Sequence, residues 1–238
     1  MSRPLDVQRT ALRDQVHDRI LADLLDGTVQ PGERLSIDTL ARELAVSRTP
    51  VREALVQLER TGLVTREALK GYRVAPLLDR EQLAELFDAR MLLEVHAAEL
   101  AGPHAPAMLP ELRAAHEAHE AASHDVVHAH AAGEVPLEVT QRYFDADGAF
   151  HAVILEHAGN RYLQEMHASL GALTHRLRQA ALRGPSDVIE AIAEHRAILD
   201  AFAAHPADAP QRMHDHIAGV RERSLAGRDA GVYLLERM

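Results

Sequence analysis

The 238-residue chain has no cysteine and no tryptophan, and aromatic residues make up only 3% of it. Without cysteine there is neither a disulfide framework nor thiolate chemistry, which suits a reducing compartment. No stretch approaches the eighteen or so uncharged apolar residues that span a bilayer. Asp6, Arg9, Arg13, Asp14 and Asp18 stand where the apolar run of a signal peptide would lie. Neither a membrane partner nor export is therefore expected, and the expected setting is the cytoplasm. There is also no internal repeat, which excludes a solenoid.

What is present separates into two parts, at 1–76 and 77–238, as the length leads one to expect. The net charge of −10 is unevenly shared: residues 1–76 carry 12 Lys+Arg against 11 Asp+Glu, and residues 77–238 carry 14 against 25. Between Val46 and Ala75 the balance is six basic to three acidic residues. A local basic patch is enough for phosphate contact, so the acidic total does not exclude a nucleic-acid partner.

The stretch Leu35–Pro76 reads as a winged helix-turn-helix. A first helix spans Ile37 to Leu44, with Leu40 and Leu44 facing inward, and Ala45-Val46 forms the turn. Ser47 sits at an N-cap position. The second helix runs from Arg48 to about Thr61 and buries Val51, Ala54, Leu55 and Leu58, and Gly62 ends it. Leu63-Val64-Thr65 and Tyr72-Arg73-Val74 form a two-stranded hairpin around Lys70-Gly71. Cations and hydroxyls at the start of the second helix suit the major groove of double-stranded DNA, where Arg pairs with guanine edges. The candidate DNA contacts are Ser47, Arg48, Thr49 and Arg52, with Lys70 and Gly71 in the wing.

The string Ser47-Arg48-Thr49-Pro50-Val51-Arg52-Glu53-Ala54-Leu55, followed by Leu58, Gly62 and Leu63, closely resembles the GntR family of bacterial transcription regulators. The likeness extends over roughly residues 12 to 76 and includes the turn Pro31-Gly32-Glu33-Arg34-Leu35. Some relatives place a further DNA-contacting Arg in the first helix, where this chain has Asp38-Thr39.

From Asp79 onward the chain reads as nearly continuous helix, with breaks at 102–106, 133–136, 159–160, 184–185 and 205–210. Six helices are expected, at roughly 79–101, 108–132, 138–158, 160–183, 187–204 and 208–227. Leu83, Leu86, Phe87, Arg90 and Leu93 keep the three-and-four spacing of an amphipathic helix. Short connections favour antiparallel neighbours, hence an all-α bundle and a mainly α protein overall.

Sixteen histidines invite a search for metal chemistry. His116, His119, His124, His128 and His130 lie in an Ala-rich helix without fixed spacing and read as solvated residues. Asp147 and His151 differ, because i, i+4 spacing puts both on one face between Phe144 and Phe150. A divalent ion gives a reason to bury such a pair. His195, in Glu194-His195-Arg196, and His214 or His216, in Met213-His214-Asp215-His216-Ile217, could join them from two later helices. Only one of the last two can point inward.

The order and spacing of these motifs resemble the FCD effector domain of the FadR subgroup, over roughly 79–227. The resemblance implies a divalent metal held by Asp147, His151, His195 and His216, the last chosen by its Met-x-x-His context. Zinc is the expected ion, with nickel, manganese or iron also suited to nitrogen and oxygen ligands. It further implies a small carboxylic-acid effector and a homodimer on a pseudo-palindromic operator, with repression relieved by the effector. Arg90, in an Arg-x-x-Leu-Glu context, and Arg196, beside His195, are candidate effector contacts. For Arg90 the competing reading is an intrahelical pair with Glu94. A metal-dependent hydrolase or lyase acting on small organic acids is the alternative function. It lacks a companion general base and leaves the N-terminal third without a role.

Overall fold

The computed structural model describes residues 7–25, 28–60, 62–67, 71–76, 78–133, 135–180 and 185–229. The chain forms two compact units, Met1–Leu77 and Leu78–Met238. The first contains α1 (Val7–Leu25), β1 (Arg34–Leu35), α2 (Ile37–Glu43), α3 (Arg48–Arg60), β2 (Val64–Glu67) and β3 (Gly71–Val74). Its antiparallel sheet has the order β1-β3-β2, with Val64 opposite Val74 and Leu35 opposite Tyr72. The hairpin therefore has a third strand that the sequence did not reveal, since two residues are too short to show a period. The Gly32 N–H donates to Val74 O and the Val74 N–H to Glu33 O, both at 2.9 Å, extending that edge.

Val51, Ala54, Leu55 and Leu58 are fully buried on α3, as their spacing predicts, against Val16, Ile20 and Leu24 of α1. In α2 the expectation needs correction: Ala41 is buried, whereas Leu40 and Leu44 are only half-buried. A short helix laid close against α3 puts its small residue at the contact and lets the leucines flank it. Ser36 caps α2, its hydroxyl accepting from the Thr39 N–H at 3.3 Å.

Two helix ends in this unit share one geometry with different residues. After α3, the Leu63 N–H reaches Leu58 O and the Gly62 N–H reaches Glu59 O. After α2, the Val46 N–H reaches Ala41 O and the Ala45 N–H reaches Arg42 O. Both are Schellman closures, which need a left-handed residue at the first position beyond the cap. Gly62 takes it at φ 72°, and Ala45 takes it at φ 53° with a Cβ that resists it.

The second unit contains α4 (Arg80–Ala101), α5 (Ala105–Ala131), α6 (Leu137–His157), α7 (Arg161–Ala180), α8 (Pro185–Ala204) and α9 (Ala209–Asp229), with 3-10 turns at 102–104 and 206–208. Asp79 and Gln82 close a capping box before α4, each side chain accepting from the other's backbone N–H. Helix α5 starts three residues earlier than expected, because Pro106 falls in its first turn, where no N–H is needed. Helix α5 packs against α6 and α8, and α4 against α6, α7 and α9. Leu83, Phe87, Met108, Leu112, Ile154 and Phe202 fill the core beside Phe150, Ile198 and Ile217.

Ala45→Gly is expected to raise stability by about 0.5–1 kcal/mol, through relief of the left-handed Cβ contact. Urea unfolding with an unchanged midpoint would contradict this.

Candidate metal centre and DNA-reading helix

Buried among the apolar side chains of the bundle is a knot of polar ones. Asp147 and His151 stand one turn apart on α6, His195 on α8 and His216 on α9, all buried. The His195 and His216 ring centres lie 4.6 Å apart, and His151 lies 5.0 and 5.2 Å from them. Nε2 of His195 is 3.3 Å from Nε2 of His216 and 3.7 Å from Oδ1 of Asp147. His214 faces outward beside Asp215.

Each of two outer nitrogens has a carboxylate. The Nδ1 of His216 is 2.8 Å from Glu194 Oε2, and the Nδ1 of His151 is 2.6 Å from Glu94 Oε2. Glu94 also receives Arg90 Nε at 2.6 Å and lies 3.3 Å from Nε2 of His167. Burial drives the Glu94 carboxyl upward, but Arg90 and His151 beside it outweigh that and hold it well below the usual range. Arg223 on α9 grips both oxygens of Glu194, at 2.7 and 2.9 Å. A Cβ at Gly219 would lie 2.6 Å from Glu194 Oε1, so glycine is what lets that carboxylate approach α9.

Burial pushes His195 well below the ordinary imidazole range, reinforced by His216. His216 falls to about 4, again through burial and only partly offset by Glu194. His195 and His216 are thus neutral at pH 7, which is the form that binds metal. Nε2 of His151 is buried with no hydrogen-bond partner among the described residues. Ligand atoms about 2.0–2.1 Å from one ion lie roughly 3 Å apart, close to the spacing of the two Nε2 atoms. The donor set and the lone pair of His151 fit a divalent cation.

Other sequence expectations need correction. His116 and His119 are fully buried, so solvation is the wrong reading for them, whereas His124, His128 and His130 are exposed. One face of α5 turns these two into the bundle, and an Ala-rich background hid that face. His119 joins Asp147 and His195 in a second group with ligand-like spacing. Arg90 is buried on Glu94, while Arg196 is turned away from the cluster, partly exposed and 3.7 Å from Glu120. Glu194, His167 and Arg223 escaped sequence reasoning, because their partners lie on other helices at no local spacing.

In the first unit, Ser47, Arg48, Thr49 and Arg52 are exposed at the start of α3. Arg48 reaches back across the turn, its Nε 2.6 Å from Asp38 Oδ1 on α2. Gly71, at φ 90°, opens β3, and Lys70 lies outside the described residues.

Residues 12–74 match the model of the bacterial regulatory proteins of the gntR family, and residues 85–219 match the FCD domain. The chain belongs to the GntR family. It is a transcription regulator with an FCD domain, not an enzyme. It is 30% identical over 205 residues to the HTH-type transcriptional repressor GlaR of Escherichia coli, covering 82% of this chain and 87% of that one. It is likewise 30% identical over 230 residues to the probable D-xylose utilization operon transcriptional repressor of Paenarthrobacter nicotinovorans, covering 94% and 95%. The solved structure of E. coli McbR/YncC shares the fold, with TM-score 0.69 and 23% identity over 92% of this chain and 98% of that one. No described helix of this regulator is long and apolar enough to cross a membrane.

The metal-free regulator is expected to lose stability as pH falls from about 6.5 to about 4. A depressed imidazole pKa means the unfolded chain takes up the proton first, so this contribution is complete above 6.5 and shrinks below it. His216 accounts for roughly 3 kcal/mol of the loss. Thermal melts of chelator-treated protein across that range check it, and a flat profile would contradict it.

Proposed function

We propose that this regulator is a cytoplasmic repressor whose grip on a pseudo-palindromic operator is released by a small carboxylic acid bound at a metal centre. The observation that carries this reading is the gathering of three buried imidazoles from three helices, His151, His195 and His216, with Asp147 beside His195 and Nε2 of His151 without a hydrogen-bond partner among the described residues. Asp147, His151, His195 and His216 would hold the ion. Zinc suits the set, and nickel, manganese or iron are the alternatives. Such an ion supplies open positions where a carboxylate and a neighbouring hydroxyl or keto oxygen can chelate.

Arg90 supports the acid part of the proposal. Its Nε is occupied by Glu94, but its Nη1 is buried without a hydrogen-bond partner among the described residues. One arm of the guanidinium thus suits a carboxylate. Glu94 links that arm to His151, so an acid held by Arg90 would act on the same carboxylate that orients a metal ligand. The position of Arg196 on Glu120 does not favour it as a contact. Two relatives carry the word repressor in their names, which sets the sense of regulation proposed.

Helix-turn-helix proteins read two half-sites about one turn apart, so the proposal includes a homodimer. Helices α4 and α7, which pack together, leave Leu92 75%, Tyr162 67% and Met166 47% exposed, and these apolar side chains support a self-contact there. At the DNA, Arg48 and Arg52 read bases, with Ser47, Thr49 and the wing residues Lys70 and Gly71 on the backbone.

Arg48→Ala and Arg52→Ala should each weaken binding to duplexes selected from a random library by about 10- to 100-fold. Helical content should stay unchanged, and unaltered affinity in both variants would sink the assignment. Purified protein should carry one ion per chain, and His195→Ala should lose it while remaining folded. A hydroxy or keto acid should raise the melting temperature of the metal-loaded form only. Equal shifts after chelation would remove the metal from the proposal.

A further inference from the structure

Three of the proposed ligands are imidazoles, and their outer nitrogens are treated unequally. His216 and His151 turn Nδ1 to the carboxylates of Glu194 and Glu94. The Nδ1 of His195 meets another imidazole instead, Nδ1 of His119, at 3.1 Å. His119 comes from α5, supplies none of the four proposed ligands and is fully buried. Its ring is 4.6 Å from Tyr143, and Phe150 stacks on His195 at 4.1 Å and 12°.

Two ring nitrogens at 3.1 Å share one proton, and where it sits decides what His195 can do. With the proton on His119, Nδ1 of His195 accepts, and the proton of neutral His195 moves to Nε2. That nitrogen faces Nε2 of His216 and Asp147, so its lone pair would be lost to an ion. With the proton on His195, Nε2 turns a lone pair into the cluster. A ligating imidazole nearly always donates its second N–H to a fixed acceptor.

We infer that His119 is a positioning residue that accepts the Nδ1–H of His195 and so keeps Nε2 of His195 available to a divalent ion. The inference rests on the metal reading above. Phe150 fixes the plane of the His195 ring, and His119 fixes its tautomer. A neutral acceptor also polarises His195 less than a carboxylate would, making it the weakest of the three nitrogen donors.

The test uses the full chain and three proteins: wild type, His119→Leu and His119→Gln. Zinc affinity is measured by competition with a chelating indicator. Ring protonation is read from nitrogen-15 spectra of histidine-labelled, metal-free protein. Wild type should show His195 protonated at Nδ1. His119→Leu should bind zinc about 10- to 100-fold more weakly, and His119→Gln, whose carbonyl still accepts, should recover most of that loss. Wild-type zinc affinity in His119→Leu, or an Nε2-protonated His195 in wild type, overturns the inference. So does a direct zinc-induced shift of a His119 nitrogen, which would make it a ligand. If wild type takes up no zinc, the metal reading fails, and the metal-free spectrum still decides the role of His119.

Discussion

Glu94 is a carboxylate with 1% of its side chain exposed, and the helical unit is organised around keeping that charge tolerable. Moving a carboxylate out of water costs several kcal/mol even after relaxation, unless partners replace the lost solvation. Here they come from three helices: Arg90 one turn back on α4, His151 on α6 and His167 on α7. Because His151 is among those partners, the orientation of its ring follows from where Glu94 sits. The same pattern recurs across the cluster, where Arg223 grips Glu194 and Glu194 holds His216. The two anions differ in exposure, since Glu194 keeps 24% of its side chain accessible and tolerates displacement better than Glu94 does.

A cluster built this way is costly when incomplete. Several buried nitrogens and oxygens around it have no hydrogen-bond partner among the described residues, including Nη1 of Arg90 and Nε2 of His151. An apolar core would be the more stable filling for the same volume. Retaining unsatisfied donors and lone pairs side by side is the arrangement expected of a site completed by something else. In the function proposed above, a cation would answer the lone pair and an anion the guanidinium.

How much of this was legible in the sequence depends on whether the signal was local. The mainly α fold was legible, because glycine and proline breaks and apolar spacing report directly on helix ends and faces. Asp147 and His151 were legible together, since one turn of helix ties them. Glu194 stood in plain view beside His195, yet its partners His216 and Arg223 lie on α9 and no spacing on α8 reveals them. His119 was misread for the opposite reason. It sits among exposed histidines in an alanine-rich helix, where nothing local separates the buried face from the wet one. Ala45 hid a strained conformation, because alanine gives no sign of the left-handed geometry that Gly62 advertises.

The DNA-reading unit uses charge in the reverse way, by leaving it in water. Arg48 has 70% of its side chain exposed, so its ion pair with Asp38 contributes little to folding. Its value lies in geometry. Asp38 takes Nε and so ties that guanidinium at the start of α3, where the proposed contact with a guanine edge would be made. The same carboxylate subtracts a charge from a unit that is nearly neutral overall, which weakens attraction to any phosphate backbone whatever its sequence. Asp38 thus orients the cation beside it while lowering the local positive charge.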